Sequence, residues 1–172
     1  IDYFEEMIRR IKRIKPGLFI VAFTAVEIDY FAKTNRLTVK ATLKRLIDAG
    51  VGAMPGGGAE IFSPHVRNII APLKISGGKW IDIMRKAHNM GLKTNATMLY
   101  NHREETGEIV DHLAKIRKLQ DETGGFTAFI GWTFQPNHTA MADQTKATPV
   151  DYLRTLAVAR LFLDNIPNIQ AS

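Results

Sequence analysis

The chain has 172 residues, is 45% hydrophobic and 23% charged, and carries a formal net charge of +6. That length suits one domain, and the composition excludes a disordered chain. There is no Cys, which excludes disulfides and any thiolate metal or iron–sulfur ligand from these residues. No apolar run approaches the ~18 residues of a membrane span, and no signal-peptide pattern stands at the start. The basic residues lie singly or as "RRIKRIK", without interleaved aromatics, which reads as solvated helix faces rather than a nucleic-acid surface.

Phe4, Ile8, Ile11 and Ile14, with Met7, are three or four residues apart, so a first helix buries one face and stops at "KPG". "LFIVAF" (18–23) is a continuous apolar run, the pattern of a strand buried on both faces. A short helix over "TAVEIDYFAKTN" follows. Thr38 then N-caps "VKATLKRLIDAG", which Gly50 closes. "VGAM" (51–54) is the next strand and runs into "PGGGAEI". "SPHVRNII" predicts a helix with Pro64 at its first position, and "GGKWIDIMRKAHNMG" a helix closed by Gly91. "LKTNATMLY" (92–100) is a strand. "TGEIVDHLAKIRKLQDETGG" is a long amphipathic helix, "FTAFIGWTF" (126–134) a strand, "VDYLRTLAVARLFLDN" a helix, and "IPNIQAS" the start of a fifth strand.

Helices and strands in this alternation predict the α/β class with a parallel sheet and helical crossovers. Strands without polar alternation fit a partial (β/α) TIM-type barrel, whose chemistry sits at the C-terminal strand ends. Those ends offer Thr24 and Glu27; Gly56, Gly57, Gly58 and Glu60; Thr97, Tyr100, His102 and Glu104; Thr133, Gln135 and Asn137; and Gln170 and Ser172.

Three successive glycines present bare backbone. They form either a nest of N–H groups for an anion or carboxylate, or a tight turn at positive φ. No Lys-Ser/Thr follows, so this is no P-loop, and the spacing is wrong for a dinucleotide fingerprint. Glu60 either accepts from a ligand amine or ribose hydroxyl or stands in a helix first turn. His102 is a candidate acid/base or substrate contact, or a satisfied loop histidine. Glu104 is the other candidate acid/base. His65, His88 and His112 suit structural or surface roles. No histidine pair has metal-ligand spacing. Arg67 could pair with a carboxylate or phosphate, or form a surface salt bridge. Trp80 reads as packing. Trp132 could wall an aromatic ligand or pack in the core. Asp121 and Glu122, at a helix C-terminus, need compensation by a salt bridge or by N–H groups of the next strand.

The stretches "AFTAVEI", "PGGGAEIF", "KWIDIMRKAH", "GLKTNATMLY", "LQDETGGFTAFI", "WTFQP" and "YLRTLAVARLFLDNIPNIQAS" cover nearly the whole chain. Together they resemble the radical S-adenosylmethionine enzymes of the futalosine route to menaquinone. Within that group "WTFQP" and "NIPNIQAS" resemble cyclic dehypoxanthinyl futalosine synthase, taken as the nearest member. "AFTAVEI" and "TNATMLY" resemble aminofutalosine synthase, and the enzyme making the deazaflavin F420 chromophore is a further relative. The resemblance implies a radical-type (β/α) barrel with a [4Fe–4S] cluster on a CxxxCxxC loop. There S-adenosylmethionine is cleaved to a 5′-deoxyadenosyl radical that attacks a nucleoside-derived substrate. A flavodoxin- or ferredoxin-type reductant and a cytoplasmic setting are implied too.

Residues 1–172 would then be one domain, a middle-to-C-terminal segment whose cluster ligands lie upstream, and inactive alone. Carried over by motif, Glu27, Gly56, Gly57, Gly58, Glu60 and Thr97 line the cofactor side of the barrel mouth. Tyr100, His102, Glu104, Trp132 and Gln135 lie toward substrate. Asn101 stands where the family usually has Gly, and Gly131 where Pro is usual. Two readings of other classes stand beside this one: a cluster-free (β/α) enzyme binding a phosphosugar or nucleotide, and a non-catalytic half-barrel.

Overall fold

A computed structural model describes residues 1–171; Ser172, counted above among the strand-end polar residues, lies outside them. Among the described residues there are seven helices and four strands, in the order α1 (Asp2–Ile14), α2 (Ala25–Thr34), α3 (Val39–Ala49), β1 (Ala53–Met54), α4 (Pro64–Ile70), α5 (Gly77–Asn89), β2 (Lys93–Tyr100), α6 (Thr106–Thr123), β3 (Phe126–Thr133), α7 (Pro149–Phe162) and β4 (Asn168–Gln170). The strands form one sheet, ordered β1-β2-β3-β4 and parallel throughout. Each connection crosses by helices, as parallel pairing requires. The expected architecture, a partial (β/α) barrel, is the one observed.

Helix boundaries follow the capping signals. Thr38 accepts from the Ala41 N–H, and Gly50 ends α3 at φ +119°. Ser63 caps α4 with Pro64 at its first position, and Thr148 and Asp151 form a capping box on α7. Asp121 and Glu122 find the compensation their position demands: Asp121 accepts from Asn165 Nδ2 at 2.7 Å, and Glu122 pairs with Arg85 at 2.9 Å.

The expected first strand, 18–23, is corrected. Only a single bridge, Val21 to Ala53, forms there. The Gly52 N–H donates to Ile20 O and the Ala22 N–H to Ala53 O, so the segment is paired along one side only. Phe23 at φ +64° then turns the chain out of extended backbone. Leu18, Phe19 and Val21 are exposed rather than buried on both faces. A continuous apolar run marks burial only when both faces are covered, and here they are not.

The sheet has two unlike faces. Ala96, Met98, Phe126 and Phe129 face the helices, where Trp80, Ile83, Met84, Leu113 and Ile116 complete the core. Full burial of each large apolar side chain contributes ~1.5–3 kcal/mol. The alternate residues Asn95, Thr97 and Leu99, with their β3 partners Ala128, Ile130 and Trp132, form the face that looks into a barrel. The register shifts between Thr94 and Asn95, where β3 carries the extra residue Thr127, and this brings Phe126 and Phe129 to the same face.

Candidate active site

The loop after β1 is built by its carbonyls. Thr97 Oγ1 donates to Gly56 O at 2.8 Å and Trp80 Nε1 to Gly57 O at 3.3 Å. Arg67 Nη2 donates to Gly58 O at 2.7 Å, while its Nη1 donates to Ala59 O and, at 3.2 Å, to Ile61 O. The Leu99 N–H donates to Glu60 O at 2.8 Å. Six consecutive carbonyls, 56 to 61, are thus held from behind. On the donor side only the Gly56 N–H is engaged, by Asn95 Oδ1 at 2.6 Å. The N–H groups of Gly57, Gly58, Ala59 and Glu60 have no partner among the described residues.

The three glycines answer different constraints. A Cβ on Gly56 would stand inside contact distance of Asn95 O, with Asn95 Oδ1 at 2.7 Å. Gly58 has φ +84°, and a Cβ there would collide with Val26. Gly57 meets only Thr24 Cγ2, at 3.1 Å. Both turn geometry and close approach are therefore present, the latter from the start of α2 and from β2. Glu60 adopts φ +48° and pairs with Lys74 at 2.5 Å. It precedes the Ser63 cap of α4, so the first-turn placement is corrected.

Thr97 is supported in turn. His112, fully buried and stacked on Phe62 with ring centroids 4.0 Å apart, has Nε2 3.0 Å from Thr97 O. Burial pushes its pKa down to about 3, so the ring is neutral and Nε2–H donates. Its Nδ1 is left without a partner. Glu27 lies in the first turn of α2, whose Thr24 and Val26 border Gly57 and Gly58. Its Oε2 accepts from Thr24 N at 2.8 Å and Thr24 Oγ1 at 3.0 Å, a capping box.

The loop after β2 is closed on itself. Glu104 accepts from the Asn101 and His102 N–H groups, and its Oε2 lies 2.7 Å from His102 Nδ1. His102 Nε2 lies 3.0 Å from Leu99 O. Leu99 O only accepts, so Nε2 carries the proton that reaches it. The Arg103 N–H approaches the same Nδ1 at 2.7 Å, a donor facing the nitrogen that Glu104 also contacts. Burial raises the pKa of Glu104, but the hydrogen bonds from His102 and from the two backbone N–H groups outweigh it, and the carboxyl titrates below its usual range. The His102 side chain is entirely enclosed. Asn101 sits at φ +67°, a left-handed conformation that Asn tolerates better than most residues, and its Nδ2 reaches Thr145 O at 2.8 Å. That geometry explains how Asn stands where Gly is usual.

The residues named toward substrate divide. Tyr100 is 2% exposed and lies on the helix face, leaning over Gly131, so it is separated by the sheet from Thr97 and Trp132. Burial pushes its pKa up to about 12. Trp132 is 48% exposed on the barrel face. Gln135 is exposed beyond β3, its Nε2 3.2 Å from Thr133 Oγ1. Trp80 is the packing residue expected, with its Nε1 as an added contact. Arg67 contradicts both of its sequence readings: it is buried and grips backbone carbonyls. Asn95 and Arg67 hold the loop's backbone, a part the sequence reading did not single out for either. The usable signal for Arg67 was an arginine on a very short helix just past a glycine run. Among the described residues no cluster of His, Asp or Glu could hold a metal ion.

Residues 123–172 match the family model described as the CofH/MqnC C-terminal region. The chain is 48% identical to aminodeoxyfutalosine synthase of Thermus thermophilus, over 98% of this chain and 46% of that protein. It is 41% identical to cyclic dehypoxanthine futalosine synthase of Streptomyces coelicolor, over 100% of this chain and 43% of that protein. The chain is similar to both futalosine synthases along nearly its whole length. A 38% identity to the 5-amino-6-(D-ribitylamino)uracil–L-tyrosine 4-hydroxyphenyl transferase of Methanothermobacter thermautotrophicus covers 99% of this chain and 48% of that protein. The chain thus spans about half the length of the curated relatives it matches. In fold it superposes on methylornithine synthase (PylB) with a TM-score of 0.71 and 15% identity, over 97% of this chain and 44% of that one. The relatives are enzymes. No helix among the described residues is long and apolar enough to cross a membrane.

Proposed function

We propose that residues 1–172 form a single domain, the middle-to-C-terminal segment of a radical S-adenosylmethionine barrel that cyclises dehypoxanthine futalosine in menaquinone biosynthesis. The observation that carries this reading is the loop after β1, whose carbonyls are held from behind while the N–H groups of residues 57–60 stay free. Such an array receives a carboxylate or ribose oxygen, and S-adenosylmethionine has both. Gly57, the least crowded of the three glycines, is where a ligand approaches most closely.

S-adenosylmethionine, reductively cleaved at a [4Fe–4S] cluster, would supply the 5′-deoxyadenosyl radical. With no Cys in the chain, the cluster's ligands come from elsewhere, so these residues alone are inactive. Thr97 fixes the loop to β2, and Glu27 caps the start of α2, whose Thr24 and Val26 border the loop. Trp132 offers an aromatic wall on the barrel face, and Gln135, beyond the end of β3, a hydrogen-bonding group. Tyr100, His102 and Glu104 shape the strand end from behind, and none is assigned proton transfer. The substrate is a small nucleoside-derived molecule, the electron donor a flavodoxin or ferredoxin, and the setting the cytoplasm, with neither nucleic acid nor membrane as partner.

The test is anaerobic assay of the reconstituted full-length gene product. Release of 5′-deoxyadenosine that depends on dehypoxanthine futalosine supports the cyclase. The higher identity to the Thermus thermophilus protein favours a second reading, aminodeoxyfutalosine synthase. Bound S-adenosylmethionine with no turnover of dehypoxanthine futalosine would select it.

A further inference from the structure

Arg67 is a buried cation, 4% exposed, with no carboxylate in salt-bridge reach among the described residues. The nearby acid, Glu60, is held by Lys74 instead. Burying a charge without a counter-ion is costly unless its hydrogen bonds are satisfied. Here backbone carbonyls satisfy them. Nε donates to Ile75 O at 2.7 Å, Nη2 to Gly58 O at 2.7 Å, and Nη1 to both Ala59 O and Ile61 O.

These four carbonyls belong to two segments. Three are in the loop after β1, and the fourth is in the link between α4 and α5, which also carries Lys74. A planar guanidinium with its donors in a fixed fork can orient several carbonyls at once, whereas an ammonium on a flexible stem cannot. The loop needs such a device. Gly57 and Gly58 give the backbone wide freedom, and Glu60 adopts a left-handed conformation. Once the carbonyls of Gly58, Ala59 and Ile61 are fixed, the peptide planes are fixed, and with them the direction of the N–H groups on the other edge.

We propose that Arg67 is a positioning residue for S-adenosylmethionine: it sets the loop before the ligand arrives, so that binding does not bear the cost of ordering it. The proposal rests on the reading of this loop as the S-adenosylmethionine cradle. It adds a residue that makes no contact with the ligand and acts through the backbone.

The experiment uses the reconstituted full-length gene product. S-adenosylmethionine affinity is measured by calorimetry without reductant, and amide exchange of the 55–62 segment is followed in parallel. In Arg67→Lys the dissociation constant should rise about tenfold. The loop amides should lose the protection that the ligand gives in the wild type. At saturating S-adenosylmethionine kcat should stay within about threefold while KM follows the affinity. Arg117→Lys removes another arginine–carbonyl tether, to Phe162 O and remote in the fold, and should leave the affinity unchanged. Should Arg67→Lys fail to fold, Trp80→Phe removes the bond to Gly57 O, together with part of the indole's packing on Phe62 and Phe126, and should weaken binding about threefold while Phe134→Leu, which alters an aromatic contact away from the loop, leaves it unchanged. Wild-type affinity in the folded Arg67→Lys protein, or in Trp80→Phe when that is the only folded variant, overturns the proposal. Failure of the wild type itself to bind S-adenosylmethionine overturns the cradle reading and the proposal with it.

Discussion

The loops after β1 and β2 occupy equivalent places, each at the C-terminal end of a parallel strand, yet they are built in opposite senses. Residues 56–61 have every carbonyl held by other parts of the fold and most of the N–H edge free. Residues 101–104 have their polar atoms turned on one another, with His102 and Glu104 enclosed as a pair. The first is a receptor held open from behind, and the second is a strut. Position at a strand end marks where chemistry can sit, but the direction of the hydrogen bonds decides which loop is available for it.

The largest expected effect separates the strut from a catalytic role. Glu104→Ala leaves His102 without its carboxylate and two N–H groups without an acceptor. Breaking such a buried pair costs ~3 kcal/mol, which a urea midpoint would register, while S-adenosylmethionine affinity is retained. A variant of wild-type stability that has lost turnover would make Glu104 catalytic instead.

Gly56→Ala strikes the receptor. The new methyl meets the Asn95 backbone, which cannot swing aside as a side chain would. Overpacking of this kind costs ~2 kcal/mol, and displacement of the loop should weaken S-adenosylmethionine binding as well. A thermal melt and a titration on one preparation check both. Full binding with full stability would mean that the loop is not seated on β2 as described.

A further effect comes from pH. Burial holds His112 at about 3 and His88 at about 4 in the folded protein, both well below 6.5. Between about pH 4 and 6.5 the unfolded chain binds more protons than the folded one, so stability falls as pH falls. The slope approaches ~1.4 kcal/mol per pH unit for each histidine. Glu104 contributes at lower pH: its depressed value gives stability that is present above the normal carboxylate range and lost as pH drops through the folded pKa. Urea titrations from pH 7 to 5 therefore report the histidines. His112→Gln should remove about half the slope, and an unchanged slope would mean that His112 does not stay neutral beneath Thr97.

The fold was legible because its signals are local. Thr38 and Gly50, Ser63 and Pro64, and the alternation of helix and strand each act within a few residues. The exception, 18–23, failed because an apolar run reports its own composition and not whether a second neighbour covers it. The site was legible in position only. That Tyr100 faces the helices and Thr97 the barrel depends on which parity of the pleat meets the helices, which no residue type announces. That Arg67 reaches carbonyls rather than an anion depends on the fold of the loop ahead of it. The glycine run itself supported both a turn and a cradle, and the structure distributes those demands among three residues.

The finest test follows from that distribution. Gly56 is explained by Asn95 and Gly58 by Val26 and its positive φ, but Gly57 meets only a Thr24 methyl, at 3.1 Å, tight but with a side-chain end that can shift. Folding therefore has the weakest claim on Gly57. Gly57→Ala should change stability by less than ~0.5 kcal/mol, because Thr24 can yield by a few tenths of an ångström. If a ligand lies against this backbone, the same methyl stands where the ligand must approach, and S-adenosylmethionine affinity should drop while the urea midpoint stays in place. A loss of both together would assign Gly57 to packing. Retention of both would mean that the free N–H edge receives nothing at this residue, and the receptor would shrink to the backbone of Gly58, Ala59 and Glu60.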